Sequence, residues 1–184
     1  MRKLCMAIAM LCALATATSL PAAERAEFQI SPRAGRGVLK LDRFRNVDNS
    51  RAEMDTGGLG VGFAVLTPVG LLVEGGTESY GHWDLFDDDD EFFLRQYYLA
   101  LGYQFELGDG WYLVPKAGRS KWKLSSEDVP LLDDDEVERG YEYFWEIGFG
   151  KRINHVMSLG ASVRSGDYEF GDAGSVAFVM TFSF

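Results

Sequence analysis

The sequence predicts an all-β fold, an eight-stranded antiparallel up-and-down transmembrane β-barrel exported to a bacterial outer membrane. Three observations predict it. A removable export segment opens the chain, its body repeats segments that alternate bulky apolar with small or polar residues, and the connections between them alternate short and long.

The export segment comes first. Arg2 and Lys3 precede an apolar run over 4–20, and Pro21, Ala22 and Ala23 follow it. A basic start, an apolar middle and a small-residue exit form the layout of a secretory signal peptide. The run approaches the length of a membrane helix, but the small-residue exit and the polar stretch from Glu24 favour cleavage after Ala23. This assigns 1–23 to the signal peptide and 24–184 to the barrel, 184 − 23 = 161 residues. Cys5 and Cys12 both lie in the removed segment, so the mature chain is expected to have no disulfide and no thiolate metal site. Leu11 stands where a lipidated cysteine would need a small residue, so no lipid anchor is expected. Without Arg2 and Lys3, 16 basic residues face 28 acidic ones and the formal charge moves from −10 to −12. That balance argues against nucleic acid as a partner.

A barrel strand in lipid needs about 9–11 tilted residues, with apolar side chains outward and small or polar ones inward. Val176, Phe178, Met180, Phe182 and Phe184 alternate with Ala177, Val179, Thr181 and Ser183. Met157, Leu159, Ala161 and Val163 alternate with Ser158, Gly160, Ser162 and Arg164. Tyr141, Tyr143, Trp145, Ile147 and Phe149 do the same against Glu142, Phe144, Glu146, Gly148 and Gly150. So do Tyr97, Leu99, Leu101, Tyr103 and Phe105 against Tyr98, Ala100, Gly102, Gln104 and Glu106, and Leu59, Val61, Phe63 and Val65 against Gly58, Gly60, Gly62 and Ala64. Weaker segments near 27–41, 70–80 and 111–123 complete the eight.

The connections add independent support. Tight turn signals stand at 67–70, 108–110 and 151–154, whereas longer polar connections fall near 42–55, 81–92, 125–139 and 167–174. Short periplasmic turns and long external loops must alternate in this way in an outer-membrane barrel. An open sheet edge in hydrocarbon leaves backbone groups unpaired at several kcal/mol each, so the sheet must close. Eight strands enclose a lumen that side chains can fill. A soluble barrel of lipocalin type would instead pair an apolar lumen with a polar exterior, the reverse of this pattern.

The stretch from Ser162 to Tyr168, a short acidic loop and the strand Ser175 to Phe184 resemble the end of small eight-stranded outer-membrane proteins, the OmpA-like and opacity-type barrels. The resemblance implies that Phe178, Met180, Phe182 and Phe184 form a signal read by the barrel assembly machinery. That group includes structural proteins, adhesins and a few lipid-modifying enzymes, so the likeness speaks to place more than to task.

Candidate sites follow from facing. Arg33, Glu74, Lys116 and Glu146 share inward parity and similar heights, and buried charges must be paired. A central ionic network is expected, with Glu142 and Arg164 as a second pair nearer the outside. A structural plug is the plain reading, and a narrow ion or small-solute channel is the alternative. Outside, Arg95, Arg119, Lys121 and Lys123 share lipid-facing parity near the outer rim, where cations suit lipopolysaccharide phosphates or simply meet water. The acidic runs 87–91 and 133–136 attract divalent cations diffusely but lack the spacing of a calcium loop. No metal or cofactor is read from the sequence. His82 lies near Ser79, Tyr80 and Asp84, the residue types of a lipid A-modifying enzyme, yet such neighbours on one strand and loop need not converge. His155 sits in a periplasmic turn. The aromatics read as interfacial girdles, with Trp83 or Trp122 as a conceivable sugar platform. The expected role is a non-enzymatic envelope protein, structural or surface-interacting, with outer-membrane lipid and lipopolysaccharide as partners and no assignable extracellular one.

Overall fold

The computed structural model describes residues 26–45, 51–81, 91–127, 138–168 and 171–184. The export segment, His82, Trp83, Asp84 and the acidic runs 87–90 and 133–136 lie outside them. The elements are β1 (Glu27–Arg45), β2 (Arg51–Leu66), β3 (Leu71–Gly81), β4 (Glu91–Tyr103), β5 (Phe105–Gly108), β6 (Trp111–Glu127), β7 (Glu138–Arg152), β8 (Met157–Tyr168) and β9 (Gly171–Ser183). Sequential neighbours pair antiparallel, and the ring closes because β1 meets β9 and β4 meets β6.

These nine segments make eight staves. Gly102 faces Lys116 and Phe105 faces Leu113 in one unbroken register, so β5 continues β4. The interruption originates on β6. Pro115 has no N–H to donate, and the pairs that Tyr103 and Gln104 would make drop out of the ladder. Pro32 has the same effect at the closing seam. There β1 pairs with β9 at Ile30–Phe182 and again at Arg33–Val179, skipping Ser31 and Pro32. The Ser31 hydroxyl lies 3.0 Å from that of Thr181 across the gap.

All three tight turns have a local cause. Gly70 adopts φ 89° and its N–H bonds Thr67 O at 2.9 Å. Gly108, Asp109 and Gly110 all have positive φ, which glycine tolerates and asparagine or aspartate accept most readily among the rest. The third turn falls at 153–156, two residues later than expected, where Asn154 Oδ1 accepts the N–H groups of Val156 and Met157 at 2.8 Å each. At the other end the strands outrun the sequence expectation. β1 reaches Arg45 and β2 begins at Arg51, within the expected 42–55 loop. Apolar alternation ends where lipid ends, but hairpin neighbours keep pairing beyond it.

Facing follows the alternation. Leu59, Phe63, Val65, Val73, Leu99, Leu101, Trp145, Ile147, Val163, Val176 and Phe178 are exposed on the outside, an apolar band that only lipid can cover. Trp111 stacks on Phe149 at 5.0 Å near the short-turn rim, while Tyr97, Tyr141 and Tyr143 mark the opposite rim. Inside, large side chains lie over glycines. A Cβ on Gly58 would stand 2.5 Å from the Tyr80 ring, and one on Gly60 2.5 Å from Glu78 Cγ. Gly102 stands likewise to Lys116, Gly140 to Trp122 and Gly150 to Tyr112. Each of these glycines is the direct cross-strand partner of the residue that covers it.

Candidate functional site

The lumen is crossed at mid-height by six charged side chains. Register builds half of them into a row: Lys116 on β6 faces Glu146 on β7, which faces Arg164 on β8. Arg33 on β1 and Glu74 and Glu78 on β3 reach in from the opposite wall. Lys116 Nζ lies 2.6 Å from Glu146 and 2.9 Å from Glu74. Arg33 Nη1 donates to both Glu146 oxygens at 3.1 Å and to Glu78 at 3.3 Å, and its Nη2 pairs with Glu74. Arg164 donates to Glu146 through Nε at 2.9 Å and Nη2 at 2.5 Å, and to Glu78 through Nη1 at 2.6 Å. Three cations thus face three carboxylates, and the cluster is neutral.

Aromatic groups complete its shell. The Tyr98 hydroxyl donates to Glu74 at 2.7 Å, and that of Tyr80 to Glu78 at 2.8 Å. The Arg164 guanidinium lies 4.3 Å from the Phe144 centroid and 4.5 Å from that of Tyr98, a cation–π geometry. A cavity of about 50 Å³, lined in part by Gln29, Ser31, Gln104, Tyr112 and Thr181, lies toward the short turns. A second of about 20 Å³, between Thr56, Leu94, Gln96 and Ser175, lies toward the long loops. Leu94, Trp122 and Phe144 are buried on that side. The arrangement pairs the buried charges with one another and closes the bore between the two cavities.

The structure brings together Arg33, Glu74, Lys116 and Glu146, and it corrects one pairing. Arg164 takes Glu78 and Glu146 in place of the expected Glu142, because Glu146 is its cross-strand partner and Glu78 reaches it from the far wall. Glu142 is half-buried beyond Phe144, and its carboxylate accepts the Tyr143 N–H at 2.9 Å. Glu78, Tyr80 and Tyr98 are the members that sequence reasoning missed. Glu78 shares the parity of Glu74 two alternations further on, and that signal was sufficient to find it. Trp122 is 2% exposed, which removes it as a sugar platform. Ser79 faces outward while Tyr80 faces the lumen, so these two do not share a pocket.

Outside, Arg95, Arg119, Lys121 and Lys123 are all exposed, joined by Arg139 on β7. Arg95, Lys123 and Arg139 face one another directly across β4, β6 and β7. Lower down, Arg119 lies 4.7 Å from the Tyr141 centroid and 5.5 Å from that of Tyr143, with Lys121 5.9 Å from Tyr141. The opposite wall carries Asp167 facing Asp172, both exposed. On β1 the exposed Arg36 also points outward, so among the described residues the cations gather on β4, β6 and β7 without being confined to them. Among the described residues, groups of three or more His, Cys, Asp or Glu fit to hold a metal do not occur.

Phe184 completes the seam. Its N–H bonds Phe28 O at 2.9 Å and its carbonyl accepts the Phe28 N–H at 3.1 Å. Its side chain is 72% exposed on the same face as Val176 and Phe178.

Solved structures share this architecture. Neisserial surface protein A superposes with a TM-score of 0.70 at 12% identity, over 85% of this chain and 97% of that one. Ail of Yersinia pestis, in complex with the heparin analogue sucrose octasulfate, gives 0.59 at 15%, over 87% and 99%. OprG of Pseudomonas aeruginosa gives 0.57 at 14%, over 87% and 97%. No curated protein matches the chain by sequence. The family model of the outer membrane protein beta-barrel domain matches residues 7–184. With a closed eight-stave barrel, an apolar exterior and a match over nearly its whole length, the chain belongs to the outer membrane protein β-barrel family.

Proposed function

We propose that the chain is a non-enzymatic protein of the bacterial outer membrane, with a structural or surface-contact role performed by its exterior while its lumen stays closed. The observation that carries this reading is the neutral cluster of three cations and three carboxylates across the bore, with Glu146 only 1% exposed. Eight-stranded lumens are normally filled by side chains, and mutual pairing compensates these buried charges. The cationic collar on β4, β6 and β7 is the surface through which it contacts lipopolysaccharide. Phe178, Met180, Phe182 and Phe184 act before that, as the strand the barrel assembly machinery reads.

Planar-bilayer recording of the refolded barrel tests the closed lumen. No discrete conductance is expected from the wild type, and a steady single-channel conductance that Glu74→Gln alters would replace this reading with a narrow channel. Mass spectrometry of lipid A from cells with and without the protein tests the non-enzymatic part. Identical acylation is expected, and a changed acyl pattern would overturn it.

A further inference from the structure

The short-turn end of the barrel carries exposed apolar side chains at each of its connections. Val69 stands in the turn between β2 and β3, Leu107 beside the Gly108–Gly110 turn, and Ile153 and Val156 in the turn between β7 and β8. Phe28 adds to them at the start of β1. Val69, Leu107 and Ile153 are each more than half exposed. Turns are dominated by Gly, Pro, Asn, Asp and Ser, and a contiguous apolar surface implies a cover. The charges at this end nearly cancel, because Glu106 pairs with Arg152 while Glu27 and Asp109 stand against Lys151.

We infer that the short turns are immersed in a glycerophospholipid leaflet, with Val69, Leu107 and Ile153 at the boundary between headgroups and acyl chains. The ring is continuous with the lipid-facing band, and the height fits. Ten residues separate Tyr97 from Leu107 on one stave and Tyr143 from Ile153 on another. At a rise of about 3.3 Å per residue and a tilt of about 40°, ten residues descend roughly 25 Å, the height of the apolar band of such barrels. Counted from the upper tyrosines, the lower edge of the band therefore falls on the turns. Their backbone is prepared to leave water. Thr67 N–H donates to Leu71 O and Gly70 N–H to Thr67 O, at 2.8 and 2.9 Å. Ile153 and Asn154 donate to Met157 O, and Val156 and Met157 donate to Asn154 Oδ1. Groups satisfied internally escape the penalty that lipid imposes on free ones. Lys151 sits on the outward side of β7 between Phe149 and Ile153, its ammonium 5.0 Å from the Trp111 centroid. Such a lysine lays its stem on apolar surface and carries its charge to the headgroups. Near-neutral charge suits zwitterionic headgroups. A protein cover would instead require the leaflet to stop above the turns, leaving the apolar height short of the hydrocarbon it spans.

The test needs no substitution. The full mature barrel, refolded into bilayer discs of phosphatidylethanolamine and phosphatidylglycerol, is observed through the methyl resonances of Val69, Leu107, Ile153 and Val156, with Ile147 in mid-band as the reference. One sample carries a phospholipid with a nitroxide near the top of its acyl chain, and a second carries a water-soluble gadolinium chelate. The nitroxide should broaden the turn methyls as strongly as those of Ile147, and the chelate should leave them sharp. Turn methyls lost to the chelate and untouched by the nitroxide face water in a bilayer free of other proteins. That result overturns the inference and leaves the ring for a protein partner. One wet turn among the three also overturns it, because immersion of the end requires all of them.

Discussion

Glu146→Gln is the sharpest test of the lumen. The side chain is 1% exposed and touches all three cations of the cluster, Lys116 at 2.6 Å, Arg164 at 2.5 Å and Arg33 at 3.1 Å. The amide keeps the shape but leaves three cations facing two carboxylates, a net buried charge of +1. Removing one partner of a buried ion pair costs about 3–5 kcal/mol, because the group left behind stays charged and desolvated. With an m-value of about 2 kcal/mol/M, the urea midpoint should fall by roughly 1.5–2.5 M. Reversible urea unfolding in lipid vesicles, followed by heat-modifiable gel mobility, measures it. The double variant Glu146→Gln/Lys116→Met restores two cations against two carboxylates, so it should recover most of the loss, with a coupling of about 1–3 kcal/mol. A single-variant loss below about 1 kcal/mol, with no recovery in the double, would show that the charges are solvated and refute the plug.

Three further outcomes follow from facing and pairing. Gly58→Val drives a side chain into the Tyr80 ring, whereas a Cβ on adjacent Gly57 meets nothing within 4 Å; urea unfolding should show a loss of about 1–3 kcal/mol for the first and near neutrality for Gly57→Ala. Pro115→Val supplies the N–H missing opposite Tyr103, so hydrogen exchange should reveal a protected amide at position 115, and rapid exchange there would refute the account of the β4–β5 break. Phe184→Gln keeps both backbone bonds to Phe28 and changes only an exposed side chain; stability after refolding in vitro should hold within about 0.5 kcal/mol, while the amount of assembled barrel in cells falls several-fold.

The fold was legible because lipid imposes a period of two on every spanning strand. Val176 to Phe184 and Tyr141 to Phe149 show their faces without any knowledge of neighbours. The same parity pointed Arg33, Glu74, Lys116, Glu146 and Arg164 inward. It also marked Glu78 and Tyr98, which were overlooked for want of a reason to rank one inward polar residue above another. Strand ends beyond the membrane were not legible, because outside lipid nothing imposes a period of two on the sequence while the hydrogen bonds of β1 and β2 continue.

The linear chain therefore determined which way each side chain points, and with it the apolar band, the charged interior and the closure of the sheet. Partnership was decided only by the tertiary structure. Whether Arg164 meets Glu142 or Glu146 depends on the register between β7 and β8, and whether it also meets Glu78 depends on how the staves curve to bring β3 across the lumen. The row of Arg95, Lys123 and Arg139 likewise exists only because β4, β6 and β7 lie side by side. Facing is a local property of a pleated strand, but contact across a barrel depends on stagger and closure, which are properties of the whole ring.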